Sequence, residues 1–326
     1  MDSRARWPGW GLSTGMYESY YLRAAHPDEP LAVWVRYTVQ KPKGQEAKAS
    51  LWFTLFDESA GKPFAEKLTV DRGQLSAPAD GWIKVADSTF GPNRIEGSSG
   101  EARWSLRVSE AARPLQHLSP PWLYRAPLPK TKPESPVPFA RLSGEVTFGD
   151  RKYDLDRWPG MLGHNWGAEH TWTWIWLSGA GFREDDQAWI DVATGRVRLG
   201  GRLTPWVANG AISIGGERHR LGGLLRRGVD ADPVPGHATM VLPGERGCRA
   251  EVSTSADRSI TTAWNYSGPD GHLHDVLNCS MADLEVNFTD GEGRTGRLTS
   301  AHGGTYELGL PDRQDWLEVE PYPDLW

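Results

Sequence analysis

Alternation with a period of two constrains this chain more than any other feature. In PLAVWVRYTVQ, Leu31, Val33, Val35, Tyr37 and Val39 fall on one side of an extended strand, with Trp34, Arg36, Thr38 and Gln40 on the other, because successive strand side chains point to opposite faces. KASLWFTLFDE repeats the design, with Ala49, Leu51, Phe53 and Leu55 opposed by Trp52 and Phe56. EVTFGDRKYDLD reads as two short strands around a Gly-Asp turn, and AISIGGERHRLGG as the same arrangement around Gly-Gly. GPDGH (268–272) and DGEGR (290–294) announce further turns, beside strand-length segments in DVLNCSMADLEVNF and GRLTSAHGGTYELG.

Many short strands with Gly-rich turns and no βαβ alternation predict an all-β fold, an antiparallel sandwich or barrel. No internal repeat is visible. RVSEAARPLQHL (107–118) could supply a turn or two of helix before Pro114 interrupts it. Residues 113–138 carry eight of the 24 prolines, a density that excludes regular sheet or helix. Trp122 and Leu123, with Phe139 just beyond, favour an ordered loop packed over a barrel mouth rather than a linker.

Composition narrows the function classes. The net charge is −6 and the basic residues are scattered, whereas nucleic-acid binding needs a clustered basic face. Asp315, Glu318, Glu320 and Asp324 read as a solvated acidic tail. Two cysteines, Cys248 and Cys279, are too few for a disulfide framework, although adjacent strands could pair them. No apolar run resembles a signal-peptide core, and none approaches the roughly 20 residues that span a bilayer. The expectation is a soluble cytoplasmic protein; the oligomeric state is not legible.

Tryptophan is the anomaly, with 17 residues. GHNWGAEHTWTWIWLSG (163–179) holds four of them and two of the nine histidines. On a strand Trp172, Trp174 and Trp176 share a face, about 7 Å apart. They either fill a core or wall a pocket. Gly163 and Gly167 bracket His164, Asn165 and Trp166 with turn chemistry. His164 and Trp166 share a face if the segment is extended. A histidine beside indoles can exchange a proton near neutral pH, and indole faces stabilise a cation. Glu169 and Asp191 are candidate carboxylates for an acid–base pair, or else solvated loop residues. His164, Glu169 and His170 match no zinc spacing, nor does the HLH at 272–274. There is no P-loop, dinucleotide-type glycine pattern or nucleophile elbow. The expectation is a chain that works without metal or cofactor.

GHNWG followed by a Trp-rich strand resembles the signature segment of the family that holds carotenoid 1,2-hydratases (hydroxyneurosporene synthases), tocopherol-cyclase-like and AttH-like proteins. GMYESYYLRAAHPDEPLAVWVRYTV (15–39) resembles the first strands of AttH-like proteins, and 273–309 their closing strands. The resemblance implies two lipocalin-like β-barrel domains packed together, here 1–169 and 170–326. It also implies cofactor-free hydration, cyclisation or isomerisation of a hydrophobic unsaturated, terpenoid- or polyketide-like molecule. By motif match His164 and Trp166 correspond to the family's His and Trp, and Asp191 is the candidate acid. Asn165, Trp172, Trp174 and Trp176 are then expected to bind the substrate. The alternatives are a carrier or sensor of a lipophilic small molecule and a solid structural barrel.

Overall fold

The computed structural model describes residues 3–11, 13–79 and 81–322. Among them there is no α-helix. Twelve strands between Met16 and Gly167 form one curled antiparallel sheet, and ten between Thr173 and Pro311 form a second. One closes nearly into a barrel and the other into a half-barrel. The turns read from the sequence do their work here. Gly215 and Gly216 both adopt the left-handed conformation that joins Val207–Ile214 to Glu217–Gly222, which a two-residue hairpin turn requires.

The two sheets are wired alike. In each, the opening strand pairs with the closing one: Met16–Ala25 with Arg151–Gly167, and Thr173–Ala180 with Thr295–Pro311. Each closing strand is also half of a long hairpin, with Thr131–Phe148 in the first sheet and Leu273–Thr289 in the second. A short strand lies against each hairpin, Leu115–Gln116 and Thr262–Ser267 respectively. The repeat that the sequence does not display is therefore present in the topology. Alternation and turn position have to recur for that, not residue identities.

The predicted faces of the early strands belong to two different cores. Val33, Val35, Tyr37, Val39, Leu51, Phe53 and Leu55 fill the interior of the first sheet. Trp34, Trp52 and Phe56 point outward yet are buried, because the second sheet packs on them with Ile175, Trp176 and Trp264. Arg23, fully buried, ties the sheets together through Gly303, Ser280 and Gly304 carbonyl oxygens at 2.9–3.4 Å.

Four expectations need correcting. Residues 107–118 form no helix; Ala102–Ser109 is a strand paired with Thr131–Phe148, and this pairing overrides local propensity. The hairpin at Gly149 has strands of 18 and 17 residues rather than short ones. The Pro-rich stretch is not wholly loop, since its strand starts at Thr131 and includes Pro133, Pro136 and Pro138. Register shifts between Glu134 and Val137 and between Val137 and Ala140 accommodate them, as bulges allow. In the remaining loop Leu123 is buried whereas Trp122 is exposed. Finally, the acidic tail packs: Leu317, Val319 and Tyr322 lie against the second core, and the Glu320 amide donates to the Ala263 carbonyl. Asp324 lies outside the described residues. Cys248 and Cys279 are separate buried thiols.

Candidate functional site

The GHNWG segment ends a strand, so its residues alternate between the interior of the first sheet and the crevice where the two sheets meet. His164 and Trp166 point inward; Gly163 and Asn165 point to the crevice. The opening strand follows the same rule, with Tyr20 and Leu22 inward and Tyr21 against the second sheet.

On the inner face His164 is sealed. Its Nδ1 lies 2.9 Å from Glu134 Oε1 and its Nε2 2.8 Å from Glu18 Oε1. Tyr20 stacks on it at 4.2 Å, nearly parallel, and Trp166 tilts against it at 4.8 Å. The N-terminal segment closes the end of the cluster. Arg6 and Trp7 amides donate to Glu18, the Ser3 hydroxyl donates to Glu134, and the Arg6 guanidinium covers the Trp166 ring at 4.3 Å. Burial alone would lower the His164 pKa, but hydrogen bonds to Glu134 and Glu18 outweigh it and hold the pKa above the ordinary value. Carboxylates engage both ring nitrogens, and the N-terminal segment covers the end of the cluster.

On the crevice face stands Asp191, fully buried on Trp189–Arg196. The Trp176 Nε1–H donates to its Oδ1 at 3.0 Å, and the Ser135 hydroxyl donates to Oδ2. His117 Nε2 lies 3.2 Å from Oδ2 and 3.0 Å from Ser135 Oγ, while its Nδ1 lies 2.9 Å from the Asn209 carbonyl oxygen and donates to it. Ser135 and Asp191 share one ring nitrogen, so this is not the relay of a nucleophilic triad, in which they take opposite nitrogens. Burial would raise the Asp191 pKa, but His117 beside it holds the carboxyl below its usual range, and His117 is correspondingly raised. The candidate acid is therefore ionised, and the pair's proton rests on His117.

Tyr21 packs edge-on against Trp176 at 4.9 Å. Its ring lies directly over Gly163, where a Cβ would come within 2.2 Å of it; this is why the motif needs glycine there. Burial, then the Asp191 and Glu307 carboxylates, push its pKa well up, so the phenol keeps its proton. Glu307 accepts from Trp174 Nε1 at 2.9 Å, Tyr266 OH at 3.2 Å and Asn278 Nδ2 at 3.1 Å. Further along, half-buried His170 contacts the Tyr17, Trp174 and His274 rings at 4.2–5.8 Å. Burial and then His274 hold its pKa well below normal. Burial pushes His274 down to about 4.

The expected residues therefore fall into separate places. Asp191, Trp174, Trp176 and Asn165 face the crevice; His164 and Trp166 lie on the other side of the sheet. Trp172 precedes the strand, stacked between the Arg198 guanidinium and His272 at 3.9 and 5.1 Å. Glu169 is an exposed loop carboxylate paired with Lys130, without the burial an acid role needs. Sequence reasoning missed Tyr21, His117, Ser135 and Glu307 on one face, and Glu18 and Glu134 on the other. Glu18 carried a signal, a lone carboxylate in the aromatic strand YESYY; His117 and Ser135, buried in the Pro-rich stretch, carried none.

Two surface grooves of about 650 and 270 Å³ touch none of these residues. Among the described residues no group of three or more His, Cys, Asp or Glu could hold a metal ion, and no helix is long and apolar enough to cross a membrane.

No protein-family model matches the chain. It is 24% identical over 314 residues to an uncharacterized protein of Mycobacterium tuberculosis, covering 93% of this chain and 89% of that one. Its fold is that of an AttH-like protein of Nitrosomonas europaea, with a TM-score of 0.60, 14% identity and coverage of 94% and 96% of the two chains. Kievitone hydratase from Nectria haematococca is also similar, with a TM-score of 0.50, 10% identity and coverage of 91% and 89%. At these identities the likeness defines the class of fold: an AttH-like pair of lipocalin-like sheets.

Proposed function

We propose that this chain is a hydratase-, cyclase- or isomerase-type enzyme that protonates a carbon–carbon double bond of a hydrophobic terpenoid- or polyketide-like molecule in the crevice between the sheets. The observation that carries this reading is the buried Asp191–His117 pair. It holds its proton in a buried position beside the Trp176 indole, on which the Tyr21 ring packs. The fold shared with a hydratase is consistent with it.

In the proposed step the pair's proton passes to one alkene carbon. The π electrons form the new C–H bond and leave a cation on the neighbouring carbon, against the faces of Trp174 and Trp176. Water then adds, an adjacent proton leaves, or a second double bond closes a ring. Hydration and proton loss each return one proton to the pair, and after ring closure the new ring cation does so by losing an adjacent proton or adding water. Ser135 and Trp176 hold the carboxylate in place, and Asn165 lines the binding face. His164 and Trp166 support the sheet from behind, and Glu169 has no part.

A carrier of the same lipophilic class is the second reading, favoured by the sealed state of His164. The test uses lipophilic material extracted from protein purified from its own host. The extract is incubated in D₂O with the wild type and with Asp191→Asn. The account expects carbon-bound deuterium with the wild type and a 10²- to 10⁴-fold slower rate, to order of magnitude, with the variant. Ligand recovered unchanged and unlabelled leaves the carrier. An unchanged rate in the variant removes Asp191 from the chemistry.

A further inference from the structure

The crevice contains a hydrogen-bond donor and an acceptor that the protein itself leaves without partners. The Tyr21 hydroxyl makes no hydrogen bond among the described residues and is not sealed, although the residue is only 8% exposed. Buried tyrosines ordinarily find a partner for that group. Asn165 Oδ1 is buried and likewise without a partner. The two belong to adjacent, paired strands and face the same way: Tyr21 is opposite Gly163, and Asn165 is opposite Ser19. Because residue 163 has no Cβ, the Tyr21 ring lies over that strand, its hydroxyl 2.5 Å from where such a Cβ would sit, and Asn165 follows two residues on along the same face. Ser19, opposite Asn165, accepts from Arg36 Nε at 2.6 Å and makes no hydrogen bond to the Asn165 oxygen.

We propose that Tyr21 and Asn165 form a subsite for a hydroxyl group on the ligand, which accepts from the phenol and donates to the amide oxygen. This rests on the reading of the crevice as a binding site and narrows its substrate class. A hydrocarbon satisfies neither group, and a carbonyl or ether oxygen satisfies only the phenol. An alcohol satisfies both, while its unsaturated skeleton lies along Trp176 and Trp174. The ligand is therefore an unsaturated alcohol or phenol rather than a bare polyene.

The test measures quenching of intrinsic tryptophan fluorescence by farnesol and by farnesene, which differ in the hydroxyl. The proteins are the wild type, Tyr21→Phe and Asn165→Ala. The wild type should bind farnesol at least about tenfold more tightly than farnesene, and each variant should shrink that ratio roughly three- to tenfold. Farnesene affinity and Tm should stay near wild type. Equal affinities in the wild type overturn the subsite, as they would if an ordered water served both groups. A ratio unchanged in both variants overturns it too, and so does the absence of quenching by either ligand. The readout is binding alone, so it separates from the Asp191 reading. Labelling that depends on Asp191 without hydroxyl selectivity removes only the subsite, and hydroxyl selectivity without labelling removes only the chemistry.

Discussion

Two clusters of buried polar side chains lie on opposite faces of the same two strands, and they are finished differently. Around His164, both ring nitrogens, both neighbouring carboxylates and the Tyr20 hydroxyl have partners, some recruited from residues 3–7. On the Tyr21 face Asp191, His117 and Glu307 are partnered too, but an asparagine oxygen and the nitrogens of His274 have no hydrogen bond of normal geometry. Fully satisfied buried networks fix one arrangement of the chain, whereas unsatisfied ones are costly unless something else completes them. The histidine most conspicuous in the sequence belongs to the architecture. The proposed site lies on the face behind it.

The largest effect that would break this contrast is on stability. His164→Leu leaves Glu18 and Glu134 without the imidazole that bridges them. It should cost about 3–5 kcal/mol in urea unfolding, the penalty for breaking a buried ion pair. Farnesol binding by the remaining folded protein should be unchanged. A stable variant with lost binding would move the site to the inner face. Gly163→Ala acts from the other side, since its Cβ meets the Tyr21 ring. It should cost about 1–3 kcal/mol, the usual price of overpacking, and should weaken binding as well.

The smallest effect is in the pH dependence of Tm, where two pairs of histidines have opposite signs. The folded pKa values of His164 and His117 are raised. Their stabilisation is complete below the unfolded histidine pKa of about 6.5 and is lost as pH rises through the folded values. For His170 and His274 the folded values are lowered. Stability falls as pH drops below about 6.5, a loss complete for His274 near its folded value of about 4. His274→Phe should therefore flatten the acid limb, and His164→Leu the limb above neutrality. The same change on both limbs would mean that the two pairs are not independent.

Much of the fold was legible because alternation and turn chemistry are local. Val33 to Val39 and the Gly215-Gly216 turn needed no tertiary information. The outward burial of Trp34, Trp52 and Phe56 did, since only the arrival of the second sheet makes a strand apolar on both faces. The site was half legible. Asp191 stood out as a lone carboxylate in an apolar strand, and the indoles of Trp174 and Trp176 by their spacing. His164 was conspicuous too, but it lies on the opposite face from Asp191. The period of two places it beside Trp166, but not on the crevice side with Trp176. His117 and Ser135 reach Asp191 from 74 and 56 residues away in sequence, a distance no local pattern spans.

The central claim, that the crevice face and not the His164 face holds the ligand, is tested most directly by a crystal structure with farnesol at saturation. The account predicts density along Trp176 with its hydroxyl between Tyr21 and Asn165, and His164 still clamped by Glu18 and Glu134. Density inside the first sheet against His164, or an empty crevice, would contradict it.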